Sequence, residues 1–480
     1  MNVWHDRAVA GMLDGAEDED ATMGFSLIDD DPAAVPLTVL GKAQLARWRE
    51  NAPAREREWA VAAGFTGEAG KVALVPDKNG KLGRVLTGFG DGEAAMWAAA
   101  GLSETLPEGA YRLDPLPEGG EPSRVALGWA LGTYRFTRYH AKPDAAARLV
   151  WPKGADRGLV ERLAGAVFLA RDLATTPASD MGPEELADAV HQVAKKAGAR
   201  CKVIVGDKLL DKNYPTIHAV GRASTRPPRL VDITWGDEDA PKVTLVGKGV
   251  CFDSGGLDLK PASGMLNMKK DMSGAAIMLG LGQAIMQAGL KLRLRVLLPC
   301  VENSVSGNAM RPRDIVKTRK GLTVEIGNTD AEGRLILCDA LAEASDEKPA
   351  MIVDCATLTG AARVALGPEL PALFCNDDTL ANGLIAAGRA EDDPMWRMPL
   401  YTPYRRLIDS KVADLNNVSD GPHAGAITAA LYLQEFVDPK VPWAHLDVMA
   451  WNQRSRPGRP EGAEAQTLRA VYAHVAARFG

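Results

Sequence analysis

Eight consecutive residues, Asn328-Thr329-Asp330-Ala331-Glu332-Gly333-Arg334-Leu335, constrain this chain more than any other stretch. Asp330 and Glu332 stand two apart. On a helix that spacing sends side chains to different faces. In an extended loop, or in the turn entering a helix, the two carboxylates can bracket one point. The flanks predict that setting: a β-type run at residues 322–326 leads in, and an apolar helical run at residues 335–342 leads out. Arg334 adds a fixed cation with five N–H donors, at a helix N-terminus where the dipole favours anions. Taken alone, the stretch also reads as an Asp N-cap with a Glu in the first turn and a surface arginine.

A second cluster lies upstream. Asp253 sits in Val246-Gly247-Lys248-Gly249-Val250-Cys251-Phe252-Asp253-Ser254-Gly255-Gly256-Leu257-Asp258-Leu259-Lys260-Pro261, and Asp271 in Asn267-Met268-Lys269-Lys270-Asp271-Met272-Ser273-Gly274. Both acids are interleaved with lysines and bounded by glycines, which let a backbone approach a ligand closely. Carboxylate oxygens suit hard or borderline divalent cations. Four acids in two clusters fit a pair of ions about 3.5–4 Å apart. Read from the residues alone, the lysines, Lys248 among them, are ion-pair partners. Asp258 reads as structural.

Together the two stretches resemble the leucyl aminopeptidase (cytosol aminopeptidase) family of dinuclear metallopeptidases, whose signature the octapeptide matches residue for residue. The resemblance implies that Lys248, Asp253, Asp271, Asp330 and Glu332 hold two divalent metal ions, Mn²⁺ or Zn²⁺, with Asp253 and Glu332 bridging. It places Lys260 and Arg334 at the catalytic positions, with a bicarbonate at Arg334 that relays a proton. It places Met268, Thr357 and Gly360 along the substrate. The implied activity is removal of N-terminal residues, apolar ones, from peptides with a free N-terminus. The implied assembly is a homohexamer, a dimer of trimers. Two departures stand out. Met449 occupies a position where the family has alanine and is expected to narrow the pocket. Arg313 stands where glycine is common, and only a loop change is expected there.

Bulk properties set the frame. A chain of 480 residues with 46% hydrophobic and 25% charged residues is ordinary globular material. A net charge of −6 offers no general attraction to nucleic acid or to an anionic membrane surface. No run of eighteen apolar residues predicts a membrane span. Residues 1–20 carry no basic region followed by an apolar core, which argues against a secretory signal and for a cytoplasmic protein. The six cysteines are scattered, as buried thiols in a reducing compartment would be. The seven histidines form no H-E-x-x-H, so a metal here would be held by carboxylates.

The pattern predicts an α/β protein: a small N-terminal α/β domain over residues 1–150, a linker helix over 151–175 and a larger α/β/α catalytic domain over 176–480. Residues 36–40, 71–76 and 125–129 read as strands of the first domain, and 42–48 and 92–100 as helices. Beyond residue 202, apolar β runs alternate with helices, as in a mixed, largely parallel sheet covered on both faces. Ligands gather beyond the carboxyl ends of such strands, where Lys248, Asp330 and Thr357 all fall. Two other classes compete with this reading. One is a different dinuclear amide hydrolase or phosphoesterase. The other is a catalytically idle, DNA-associated family member.

Overall fold

The computed structural model describes residues 25–88, 95–116, 120–141 and 147–480. The expectation for residues 1–20, and the first turn of the helix expected over 92–100, lie outside them. The described residues divide into two compact units, one within 15–168 together with 454–461, the other within 169–453 together with 462–480.

The smaller unit is built on a six-stranded sheet in the order Leu27–Ile28, Ala147–Val150, Gly109–Leu113, Val35–Leu40, Leu82–Gly88 and Val72–Pro76. Its neighbours are parallel except for the last pair. Alternation along Val35–Leu40 sends Leu37 and Val39 into one core and Leu40 into another. Residues 125–129, expected as a strand, form part of the helix Pro122–Gly132. Glu121 caps it, its carboxylate accepting the Ser123 and Arg124 N–H groups at 3.1 and 3.0 Å, and Pro122 presets the first turn. The helix is buried on nearly every side. It therefore lacks the polar stripe that separates a helix from a buried strand by periodicity.

The larger unit carries a nine-stranded sheet. Along one path it runs Trp396–Arg397, Ala372–Cys375, Trp443–Asp447, Met351–Ala356, Lys242–Gly247, Arg293–Asn303, Arg229–Trp235 and Arg200–Val205; Gly249–Asp253 pairs with the far end of Arg293–Asn303. The central pairings are parallel, and antiparallel strands lie towards both edges. Val246 and Leu297 pack with the helix Glu332–Asp346 on one face, while Leu294 and Val296 lie next to Gly282 of the helix Ser273–Ala288 on the other. This is the mixed α/β sheet with helices on both faces that the β–α alternation predicts.

One irregularity fixes the site. Lys242–Gly247 and the first two residues of Gly249–Asp253 keep one register against Arg293–Asn303, with Val246 opposite Leu297 and Gly249 opposite Cys300, before the register shifts at Cys251. The interruption at Lys248 therefore falls opposite Pro299, which has no N–H to contribute to a ladder. A strand that would otherwise run on is released at the residue whose ammonium enters the site.

Candidate metal centre

Lys248 is held at the carboxyl edge of the sheet by its backbone. Its N–H donates to Cys355 O at 3.0 Å, and its carbonyl accepts from Ala275 N–H at 2.9 Å. The side chain runs inward, with Nζ 2.6 Å from Asp271 Oδ2 and 3.0 Å from Glu332 Oε1. Gly333 makes this possible: a Cβ there would lie 2.4 Å from Lys248 Cε. That is a steric reason for the glycine in the octapeptide.

Asp253 ends the released strand. Gly255 and Gly256 follow it with φ of 90° and 67°, left-handed conformations that turn the chain back sharply. The return brings Lys260 Nζ to 2.8 Å from Asp253 Oδ2 and into an ion pair with Asp330. Asp271 rides on the short helical turn Met268–Met272. Asp330 precedes the helix Glu332–Asp346, and Glu332 is its first residue, so the two carboxylates flank a turn as their spacing allowed. Carboxylate oxygens of Asp253, Asp330 and Glu332 lie within 4.8 Å of one another.

Four carboxylates thus meet two ammonium groups, and the electrostatics register the acid surplus. Burial and the field of Asp253 push Glu332 up to about 8 against the pull of Lys248. Burial and Asp253 likewise raise Asp330 to about 6, opposed by Lys260. Asp271 is the exception: burial works against its charge, but Lys248 and Lys270 hold it below the usual carboxylate range. Burial opposes the charge on Lys248 too, yet Asp271, Glu332 and Asp253 together keep its ammonium well above the ordinary lysine value. Glu332 Oε2 is buried with no hydrogen-bond partner. An unpartnered buried carboxylate oxygen is costly unless a cation completes it. A set this rich in carboxylate oxygens fits hard or borderline divalent ions.

The carboxylates are held from behind by residues that sequence reading missed. Asn303 Nδ2 donates to Asp253 Oδ1 at 2.8 Å and to Thr329 O at 3.1 Å, joining the two acid clusters. The Asn417 side chain accepts from Gly327 N–H at 2.8 Å and donates to Asn328 O at 2.8 Å, so it shapes the loop before Asp330. Asp447 accepts the Leu358 and Thr359 N–H groups at 3.0 and 3.2 Å and the Thr359 hydroxyl at 2.6 Å. Asn303 and Asp447 each end a strand, the one local signal that could have marked them. Nothing around Asn417 points to its partners, which lie about ninety residues earlier. Asp258 is structural, its carboxylate accepting the Thr329 N–H at 2.8 Å.

Arg334 lies buried with Nη1 donating to Asn417 O at 2.6 Å, while its Nε has no partner and burial lowers its pKa. Thr357 donates its hydroxyl to Asp271 Oδ1 at 2.6 Å. Gly360 opens the helix Gly360–Leu366 and is exposed, and Met268 is buried. Met449 is half-buried, with its sulfur 3.3 Å from Arg363 Nη1. Burial pushes Lys270 down to about 8, with Asp271 opposing and Arg363 and Lys248 reinforcing. Arg313, at the glycine-like position, adopts φ of 74° and donates to Glu325 Oε1 at 2.6 Å. The loop keeps its left-handed turn without the glycine.

Comparison with known proteins agrees with this arrangement. Residues 168–472 match the catalytic domain of the cytosol aminopeptidase family, and residues 35–152 match the N-terminal domain of M17 aminopeptidases. A relative from Roseiflexus castenholzii named "probable cytosol aminopeptidase" is 42% identical over 72% of this chain and 74% of its own. Among solved structures, a cytosol aminopeptidase from Coxiella burnetii superposes with a TM-score of 0.90 at 48% identity, over 95% of this chain and 100% of that one. The bottromycin maturation enzyme BotP, solved in complex with Mn, gives a TM-score of 0.84 at 35% identity, over 93% of this chain and 99% of that one. The chain belongs to the cytosol aminopeptidase family. It is an aminopeptidase, a hydrolase acting on peptides.

Proposed function

We propose that the chain removes the first residue of peptides with a free N-terminus at a two-metal site. The observation that carries this is the acid surplus: four carboxylates, two of them, Asp330 and Glu332, raised by burial and by the charge of Asp253, around an unpartnered Glu332 oxygen. Asp253, Asp271, Asp330, Glu332 and Lys248 would hold two divalent ions, Mn²⁺ or Zn²⁺. Bound there, such ions supply Lewis acidity and a water acidic enough to ionise near neutral pH. Lys248 can ligate only as the neutral amine. Its ammonium, paired here with Asp271 and Glu332, would have to lose its proton to do so.

The remaining groups are the chain's own. Lys260 stays protonated between Asp253 and Asp330, placing a positive charge where the carbonyl oxygen of a scissile peptide gains negative charge. Arg334 has no proton to give at working pH, so its role is to hold an anion, and bicarbonate is the one the family resemblance implies. Its unpartnered Nε is available for that purpose. Thr357 orients Asp271 through its hydroxyl, and the first side chain of a substrate would lie along Met268 and the Thr357-to-Gly360 segment. The resemblance also supports a homohexamer acting in the cytoplasm. Among the described residues no helix is long and apolar enough to cross a membrane.

Hydrolysis of an aminoacyl anilide against its N-acetylated twin tests the reading. With Mn²⁺ or Zn²⁺ added, the free amine should be cleaved and the acetylated one should not. Equal rates would remove the free-amine requirement. Metal analysis should find two ions per chain, and one or none would contradict the ligand set.

A further inference from the structure

The wall beside Asp271 carries a cation that the reaction does not use. Thr357 touches Asp271, and Gly360 follows it at the start of the helix Gly360–Leu366. Arg363 lies one turn further along that helix, on the same side as Gly360, because residues three apart are neighbours on a helix surface. Its guanidinium folds back: a Cβ on Gly360 would sit 3.4 Å from Arg363 Nη2, and Nη1 lies 3.3 Å from the Met449 sulfur. A thioether is a weak acceptor, and a guanidinium offers five N–H donors in a planar fork that matches a carboxylate. Among the described residues no carboxylate lies within ion-pair distance of Arg363, and the one hydrogen-bond contact of its guanidinium is that sulfur. Lys270, buried next to Asp271 in sequence, likewise has no ion pair there. A fork-shaped cation, half-buried beside the Met449 sulfur, lacks its usual partner.

Building on the aminopeptidase reading above, we propose that Arg363 is a specificity-determining residue, and that this pocket selects peptides whose first residue carries a side-chain carboxylate, glutamate above all. The methylenes of such a side chain would lie on Met268 and Met449, and its carboxylate would take the bidentate place on Arg363. The bulk at Met449 then supports the arginine rather than simply narrowing the pocket.

The test compares glutamyl and glutamine anilides, which are equal in shape and differ in charge, with the alanyl anilide as reference, all on metal-loaded protein. The wild type should prefer glutamyl over glutamine by 10- to 100-fold in kcat/KM at low salt, the range expected of a charge-assisted bond. That preference should shrink as salt rises. Arg363→Met should collapse the glutamyl-to-glutamine ratio towards one, and Arg363→Lys should keep part of it. Binding gives a second readout. The α-aminophosphonate analogue of glutamate should raise the melting temperature of the wild type more than that of glutamine, and should lose this advantage in Arg363→Met. A wild-type ratio at or below one overturns the proposal without recourse to any variant. So does a ratio that Arg363→Met leaves unchanged. Failure of the aminopeptidase reading looks different: none of the three anilides, alanyl included, would be cleaved.

Discussion

Two glutamates of the larger unit, Glu332 and Glu464, are both almost wholly buried, at 1% and 8% exposure, yet their environments are opposite. Glu464 meets Arg171, with Nη2 3.0 Å from each carboxylate oxygen, and also accepts from Asn452 Nδ2 and Ala465 N–H at 2.9 Å each. Burial works against its charge, but Arg171 and these donors hold it below the usual range. Glu332 shares one lysine with Asp271 and stands near Asp253, so burial and like charge push it up to about 8. One carboxylate is neutralised within the fold, and the other is left in an acid-rich cluster. Burial of a charge is therefore uninformative by itself. The local balance of charge separates a structural pair from a site that calls for cations.

The largest expected effect falls on the acid-rich side. Asp330→Asn should cut kcat/KM by on the order of 10³-fold, since metal-ion catalysis supplies several kcal/mol. The metal-free protein should at the same time melt no lower, because an acid raised by its neighbours is removed; unimpaired turnover would take Asp330 out of the ligand set. Arg171→Met should do the reverse. Stranding Glu464 should cost about 3–5 kcal/mol in denaturant unfolding and leave metal content unchanged. Asn303→Ala is intermediate. It frees one oxygen of Asp253 from its support and should weaken metal binding about 10- to 100-fold by titration.

The smallest effect is in pH. Glu332 has a folded pKa above its unfolded value, so in metal-free protein its burial costs stability increasingly as pH rises from roughly 4.3 towards 8. Glu464 has a folded pKa below its unfolded value, so its stabilisation is complete above the unfolded value and is lost as pH falls through the lowered one. Thermal melts should therefore show that added Mn²⁺ stabilises more at pH 8 than at pH 5. They should also show that Glu464→Gln flattens only the acid limb. Equal metal stabilisation at both pH values would contradict the proton–cation competition assigned to the cluster.

Much of this was legible in the sequence because the chemistry is local. The octapeptide and the Asp253 and Asp271 loops name four acids and two lysines that the fold does bring together. The β runs place Lys248 and Asp253 at strand ends of the nine-stranded sheet, whereas the run before Asp330, Thr323–Glu325, pairs in a separate three-stranded sheet. The helix Pro122–Gly132 was misread because burial on all sides erases the periodicity that identifies a helix. Asn303, Asn417 and Arg363 were invisible for another reason. Their meaning lies in partners reached across the fold: Asp253 fifty residues before Asn303, the Asn328 loop about ninety before Asn417, and Met449 eighty-six after Arg363.

The sequence by itself determined which acids, lysines and glycines stand together at short spacings, and so which side chains the proposed chemistry would use. The tertiary structure alone decided how they are balanced. A ladder broken opposite Pro299 releases Lys248, Gly333 leaves room for its side chain, and loops distant in the chain close four carboxylates around too few cations. Charge balance is set by distances between segments, and those distances are properties of the fold rather than of any stretch of the chain.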